Sequence, residues 1–246
     1  MVDTAVRWLQ RNLGATWINF VTKNLRNVYG LDRLPPLDAS ALGQSFLCVS
    51  NHRSFFDLYI VTATLVARGM PHRIVFPVRA NFFYTNPLGL FVNGAMSFFA
   101  MYPPLFRERE RAALNLSSLD EVVWLLKNGG TFCGLHPEGA RKKDDDPYTF
   151  LAAQSGVGRI IHRARVPVLP VFINGPGNDF MKQIEGGVRK NGTPIVVVFG
   201  EPIDFGTMLD EPQSPRIYRR ISERTLEVIG QLGEEERAIR ASLPAR

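Results

Sequence analysis

Across residues 5–29 the apolar positions Val6, Leu9, Leu13, Trp17, Phe20, Val21, Leu25 and Val28 recur at spacings that place them along helical faces. Arg7, Arg11, Lys23 and Arg26 fill the remaining faces, and Asp3 is the only nearby acid. Gly14 predicts a division or a kink inside this segment. A basic amphipathic helix carrying tryptophan suits the headgroup plane of an anionic bilayer. It suits packing against its own domain equally well.

After Pro35 and Pro36 the pattern changes. Apolar, strand-like runs stand at 46–49, 73–78, 131–135, 168–173 and 194–199, separated by helical patterns near 57–68, 109–128 and 151–165. This alternation predicts an α/β fold, with a mixed, mostly parallel central sheet flanked by helices behind the N-terminal amphipathic segment. Residues 1–30 are read as a helical membrane-anchoring segment and 31–246 as one folded domain. Ile217, Ile221, Val228 and Leu232, set among many charges, predict a surface helix that closes the domain.

From Asn81 to Phe106 no residue is charged. Asn86, Pro87, Gly89, Asn93, Gly94, Pro103 and Pro104 nonetheless interrupt it, whereas a spanning helix needs roughly twenty continuous apolar residues. Irregular structure against lipid, the wall of an apolar tunnel and buried core all remain open for this stretch.

Composition narrows the partners. With 246 residues, 45% of them hydrophobic, the chain can bury a single large core. Cys48 and Cys133 lack the close spacing of metal or redox pairs and read as core residues in a reducing compartment. Arg7, Arg11 and Trp17 spoil a secretory signal, which predicts a cytoplasmic location. A net charge of +6 favours an anionic partner: a bilayer surface, an acidic co-substrate or nucleic acid. The basic residues form no DNA or RNA motif, so no nucleic acid is expected. Lys142 to Asp146 reads as a solvated loop.

Two clusters carry candidate chemistry. The strand at 46–49 runs into Ser50-Asn51-His52-Arg53-Ser54-Phe55-Phe56-Asp57, at the strand's carboxyl end, where open α/β sheets bind ligands. A carboxylate five positions after a histidine can orient the imidazole across a helical first turn and fix its tautomer, which makes a general base. The second cluster, His136-Pro137-Glu138-Gly139-Ala140-Arg141-Lys142, follows the apolar run at 131–135. An arginine in a glycine-containing turn suits a phosphate, and a salt bridge at a strand end is the alternative. His136 itself reads as structural.

In this order the clusters resemble the glycerolipid acyltransferase family. That family carries an Asn-His-x-x-x-x-Asp block after a strand, a Pro-Glu-Gly-Thr-Arg block about eighty residues later and then a Val-Pro-x-x-Pro-Val strand. The matching residues are Asn51, His52 and Asp57, then Pro137 to Arg141, then Val166 to Val171, a likeness over about 45–205. The resemblance implies that His52 deprotonates an acceptor hydroxyl, that Asp57 holds His52, and that Glu138, Gly139 and Arg141 shape the acceptor site. It implies an acyl-CoA or acyl carrier protein thioester as co-substrate, a lysophospholipid acceptor and no metal or other cofactor. Within the family, 1-acylglycerol-3-phosphate, giving phosphatidic acid, is the leading acceptor, in phospholipid biosynthesis at the cytoplasmic face of the cell membrane. Glycerol 3-phosphate, a lyso-aminolipid, and a catalytically silent lipid-binding role are the alternatives.

The departures are specific. Ala140 stands where the family usually has Thr, and Lys142 where it has Ser. The family's Gly-then-Arg phosphate block is displaced: Gly94 is present, and the nearest arginines are Arg107 and Arg109. Either the loop is lengthened and Arg107, or Arg109, serves, or the head group differs from glycerol phosphate; Arg79 offers a second basic contact. A Gly-x-Ser-x-Gly elbow, a His-Glu-x-x-His helix and a phosphate loop are all missing, which agrees with direct transfer needing no covalent serine.

Overall fold

The computed structural model describes residues 2–106, 109–177 and 179–243. An N-terminal helix runs as α1 (Val2–Leu9), a π-helical turn (Gln10–Gly14) and α2 (Ala15–Thr22), so Gly14 falls at a bulge rather than at a break. The helix stops there. Residues 26–29, expected to continue it, form strand β1 (Arg26–Tyr29) instead.

Strands β2 (Phe46–Ser50), β3 (Arg73–Val75), β6 (Thr131–Leu135), β7 (Val168–Asn174) and β8 (Ile195–Phe199) complete a six-stranded sheet in the order β1-β8-β7-β2-β6-β3. All neighbours are parallel except β7 and β8. A short second ribbon pairs β4 (Val78–Arg79) with β5 (Pro104–Leu105). Helices α3 (Asp57–Val66), α6 (Ala112–Lys127), α7 (Ser155–Ala164), α8 (Phe180–Arg189) and α9 (Pro215–Ser242) surround the sheet, and α4 (Ala80–Phe83) and α5 (Pro87–Phe91) lie in the uncharged stretch. The doubly wound, mixed arrangement is the one the alternating pattern predicts.

Alternation along β2 divides the core. Phe46 and Cys48 join the layer under α2 and α3, whereas Leu47 and Val49 join the layer under α6, α7 and α9. Both faces are covered, which is why β2 and β6 are buried at every position. Gly134 in β6 lets α3 approach closely, since a Cβ there would lie 2.7 Å from the Phe76 ring and 3.0 Å from Leu58.

The N-terminal helix is built into this core: Ala15, Ile18 and Val21 are buried. Its other face exposes Trp8, Leu13 and Phe20. The segment around α4 and α5 exposes Phe82, Leu88, Leu90, Phe91 and Phe99. Trp17 Nε1 donates to Met96 O (3.1 Å) and Gln10 Nε2 to Phe98 O (3.2 Å), which joins the two exposed apolar regions. Among the described residues, no helix is long and apolar enough to cross a membrane.

Candidate active site

The loop after β2 is anchored where it leaves the sheet. Asn51 extends the ladder with its side chain, donating to Ile173 O and accepting from Ile173 N, both at 2.9 Å. Six residues later Asp57 opens α3, fully buried, where the helix dipole favours a negative charge. Its Oδ2 accepts the backbone N–H groups of Arg53 and Ser54, each at 2.8 Å. His52 Nδ1 lies 3.4 Å from the same oxygen. A carboxylate only accepts, so Nδ1 carries the hydrogen and Nε2 holds the free lone pair.

The second wall comes from β6. Its parallel register with β2 pairs Val49 with Leu135, and the next step sets Ser50 beside His136. His136 Nδ1 donates to Ser50 O at 3.0 Å, and its ring stacks on His52 with centroids 3.7 Å apart and planes 8° from parallel. Glu138, 2% exposed, accepts the His52 N–H through Oε1 (2.9 Å) and the Leu151 N–H through Oε2 (2.8 Å). Lys142 N donates to His52 O at 3.3 Å. The turn between them needs the left-handed backbone of Gly139, at φ 64°.

Burial dominates the electrostatics. It pushes the His52 imidazole down to about 4, helped by the positive charge of Arg141. It pushes the Asp57 carboxyl up to about 6, against the opposing pull of His136 and the two backbone N–H groups. His136 is lowered to about 3, by burial first and then by His52. Near neutral pH the histidines are therefore uncharged and Asp57 is ionised. Glu138 is raised by burial, partly offset by its two backbone donors.

The structure brings His52, Asp57, Glu138, Gly139 and Arg141 together at the carboxyl ends of β2 and β6. Arg141 is exposed at the rim, beside Arg53 and Lys142, which both pair with Asp144 at 2.7 Å. Arg79 is exposed on the separate β4–β5 ribbon. Arg107 lies outside the described residues, and Arg109 opens a 3-10 turn, Arg109–Arg111. His136, read from the sequence as structural, contacts His52 directly. The signal for it was its place one step past the β2–β6 register, between residues 86 apart.

One nitrogen or oxygen each from His52, Asp57 and His136 lie within 4.8 Å of one another. Imidazole lone pairs lie in the ring plane, and planes 8° apart and stacked at 3.7 Å do not meet at one ion. Stacked rings are poorly placed to ligate one ion together. Beyond the start of α3, a cavity of about 20 Å³ lined by Tyr59, Phe76, Met96 and Ala100 has room for about one water and none for an acyl chain.

A family model described as Acyltransferase matches residues 25–174. Among solved structures, the chain is similar to the crystal structure of the 1-acyl-sn-glycerophosphate (LPA) acyltransferase PlsC from Thermotoga maritima. The TM-score is 0.59 at 19% identity, covering 98% of this chain and 81% of that one, a likeness of fold. No curated protein matches the chain.

Proposed function

The chain belongs to the acyltransferase family, and from that premise we propose that it moves a fatty acyl group from an acyl-CoA or acyl carrier protein thioester to the free hydroxyl of a lysophospholipid. The leading acceptor is 1-acylglycerol-3-phosphate, which would become phosphatidic acid. The observation that carries the mechanism is the contact of His52 Nδ1 with the buried carboxylate of Asp57, which leaves Nε2 as a base.

In this reading Nε2 takes the proton of the acceptor hydroxyl as its oxygen attacks the thioester carbonyl. The tetrahedral intermediate collapses with loss of the thiolate, and the His52 imidazolium returns the proton to that sulfur. Asp57 stabilises the imidazolium while it exists. General-base assistance of this kind contributes roughly 10² to 10⁴ in rate. The Arg141 fork, exposed at the rim, serves the acceptor's phosphate, with Arg79 and Arg107 as further basic contacts.

A peripheral seat on an anionic bilayer fits the same reading. The exposed apolar side chains of the N-terminal helix and of α4–α5 supply insertion, and the net charge of +6 supplies attraction.

The test is thiol release from palmitoyl-CoA and palmitoyl-acyl carrier protein, in detergent micelles, against a panel of lysolipids and glycerol 3-phosphate. Acceptor-dependent release that disappears in His52→Ala supports the mechanism and names the acceptor. Release unchanged in His52→Ala removes the base assignment, and no release with any acceptor leaves a lipid-holding role.

A further inference from the structure

The contact between His52 and Asp57 does not by itself fix the imidazole. At 3.4 Å it stands at the long end for a hydrogen bond, and Asp57 Oδ2 already accepts two backbone N–H groups at 2.8 Å. Besides that long contact the ring has an interaction with the Ser54 backbone, and neither covers a ring face, so a swing about the Cβ–Cγ bond would carry Nε2 with it. A covered face would define the plane.

We propose that His136 is a positioning residue whose ring is the plate against which the His52 imidazole lies. This rests on the reading of His52 as the general base. The stack covers one face of His52 at 3.7 Å with planes 8° apart. The plate is rigid because its own Nδ1–H is held by Ser50 O at 3.0 Å, with Ser50 Oγ at 3.2 Å, across two paired strands of the central sheet. Sequence places Ser50 two residues before His52, so one strand end positions both rings.

Stacked rings pass no proton between their faces, so His136 does not share the base's work. Its contribution is geometric, and it is electrostatic in one respect: the imidazolium formed in turnover lies over a neutral π face. The titratable groups that act on His136 are His52 and Asp57 from the β2–α3 segment, and burial keeps His136 itself uncharged beside them. A histidine is suited to this place because it offers both a flat face and an in-plane donor for Ser50 O.

The experiment compares His136→Ala, His136→Phe and His136→Leu with wild type and His52→Ala, each checked for folding by thermal melting. His136→Ala is expected to lower kcat by roughly 10- to 100-fold with KM for donor and acceptor little changed, the scale on which small misplacement of a reacting group acts. His136→Phe, which restores the flat face without the donor to Ser50 O, is expected to recover part of that loss, whereas His136→Leu, which fills the volume without a plane, is expected to recover none. Nitrogen-15 spectra of the His52 ring should show one Nδ1–H tautomer in wild type and exchange broadening in His136→Ala.

A kcat for His136→Ala within about twofold of wild type, or no recovery in His136→Phe, overturns the proposal. Where His136→Ala does not fold, the Phe and Leu pair decides by the same criterion. Activity that survives in His52→Ala would instead remove the base assignment, and the ring spectra would then judge the plate on their own.

Discussion

Glu138 holds His52 by its main chain: one carboxylate oxygen accepts the His52 N–H at 2.9 Å and the other accepts the Leu151 N–H at 2.8 Å. The acid of the second cluster thus ties the loop after β2 to the segment that leads into α7. Both oxygens are committed to the chain itself.

Glu138→Gln keeps one acceptor and sets an NH₂ against the second backbone donor, which leaves that donor unsatisfied. The expected cost is about 1–3 kcal/mol of stability, together with a fall in kcat that exceeds any rise in acceptor KM. Denaturant melts and steady-state kinetics on one preparation check this. A pure KM effect would instead place Glu138 against the acceptor.

Asp57→Asn should abolish turnover and yet not weaken the fold. The Asp57 carboxyl holds its proton more tightly folded, at about 6, than at its ordinary 3.8, so its contribution to stability is present at low pH and is lost as pH rises through about 6. Asparagine can still accept the N–H groups of Arg53 and Ser54 without burying a charge. At pH 8 the variant is expected to be more stable by on the order of 1–3 kcal/mol, a gain that shrinks toward pH 5. Melts of both proteins at the two pH values measure it.

The same shifts set the pH profile. With His52 lowered to about 4 and Asp57 raised to about 6, kcat/KM should be level above neutrality and fall as pH drops through about 6, where Asp57 takes a proton. The positive charge of Arg141 lowers both groups, so Arg141→Ala should move the acid limb to higher pH while raising acceptor KM. Arg141→Lys should leave the limb in place. An unshifted limb in Arg141→Ala would separate the rim charge from the His52–Asp57 pair.

Membrane seating is tested at the surface. Truncation at residue 30 would remove Ala15, Ile18 and Val21 from the core and β1 from the sheet, so loss of partitioning there would report unfolding. Trp8, Phe20 and Phe91 are each more than half exposed. Replacing all three with Ser removes roughly 1 kcal/mol of insertion apiece, and binding to vesicles of mixed phosphatidylcholine and phosphatidylglycerol should weaken by about 100-fold. Co-sedimentation equal to wild type would move the contact to another face.

The parts of the fold legible in the sequence were those whose own residues dictate them. β2, β6, β7 and β8 are apolar at nearly every position because both sheet faces are covered, and the two polar clusters stand directly after β2 and β6, where the candidate site is. β1 was not legible: Arg26-Asn27-Val28-Tyr29 is only partly buried at an edge, and Val28 continues the helical spacing set by Leu25. Helix α8 was hidden by Gly186 and Gly187, of which Gly187 lies where α8 crosses the backbone of Val21. The π turn at Gln10–Gly14 is a matter of hydrogen bonding that apolar spacing does not record. The His52–His136 stack escaped for a different reason, since it exists only once β2 and β6 lie side by side in register.

The N-terminal helix has one face in the core and the other exposed, with Asn19 donating to Ala63 O of α3 at 3.2 Å and Trp17 to Met96 O at 3.1 Å. Such an element is not a cassette. A grafted helix would have to reproduce Ala15, Ile18 and Val21 before it could present a new outer face, so changes in that exposed face and changes in the packing beneath α3 are constrained to be inherited together.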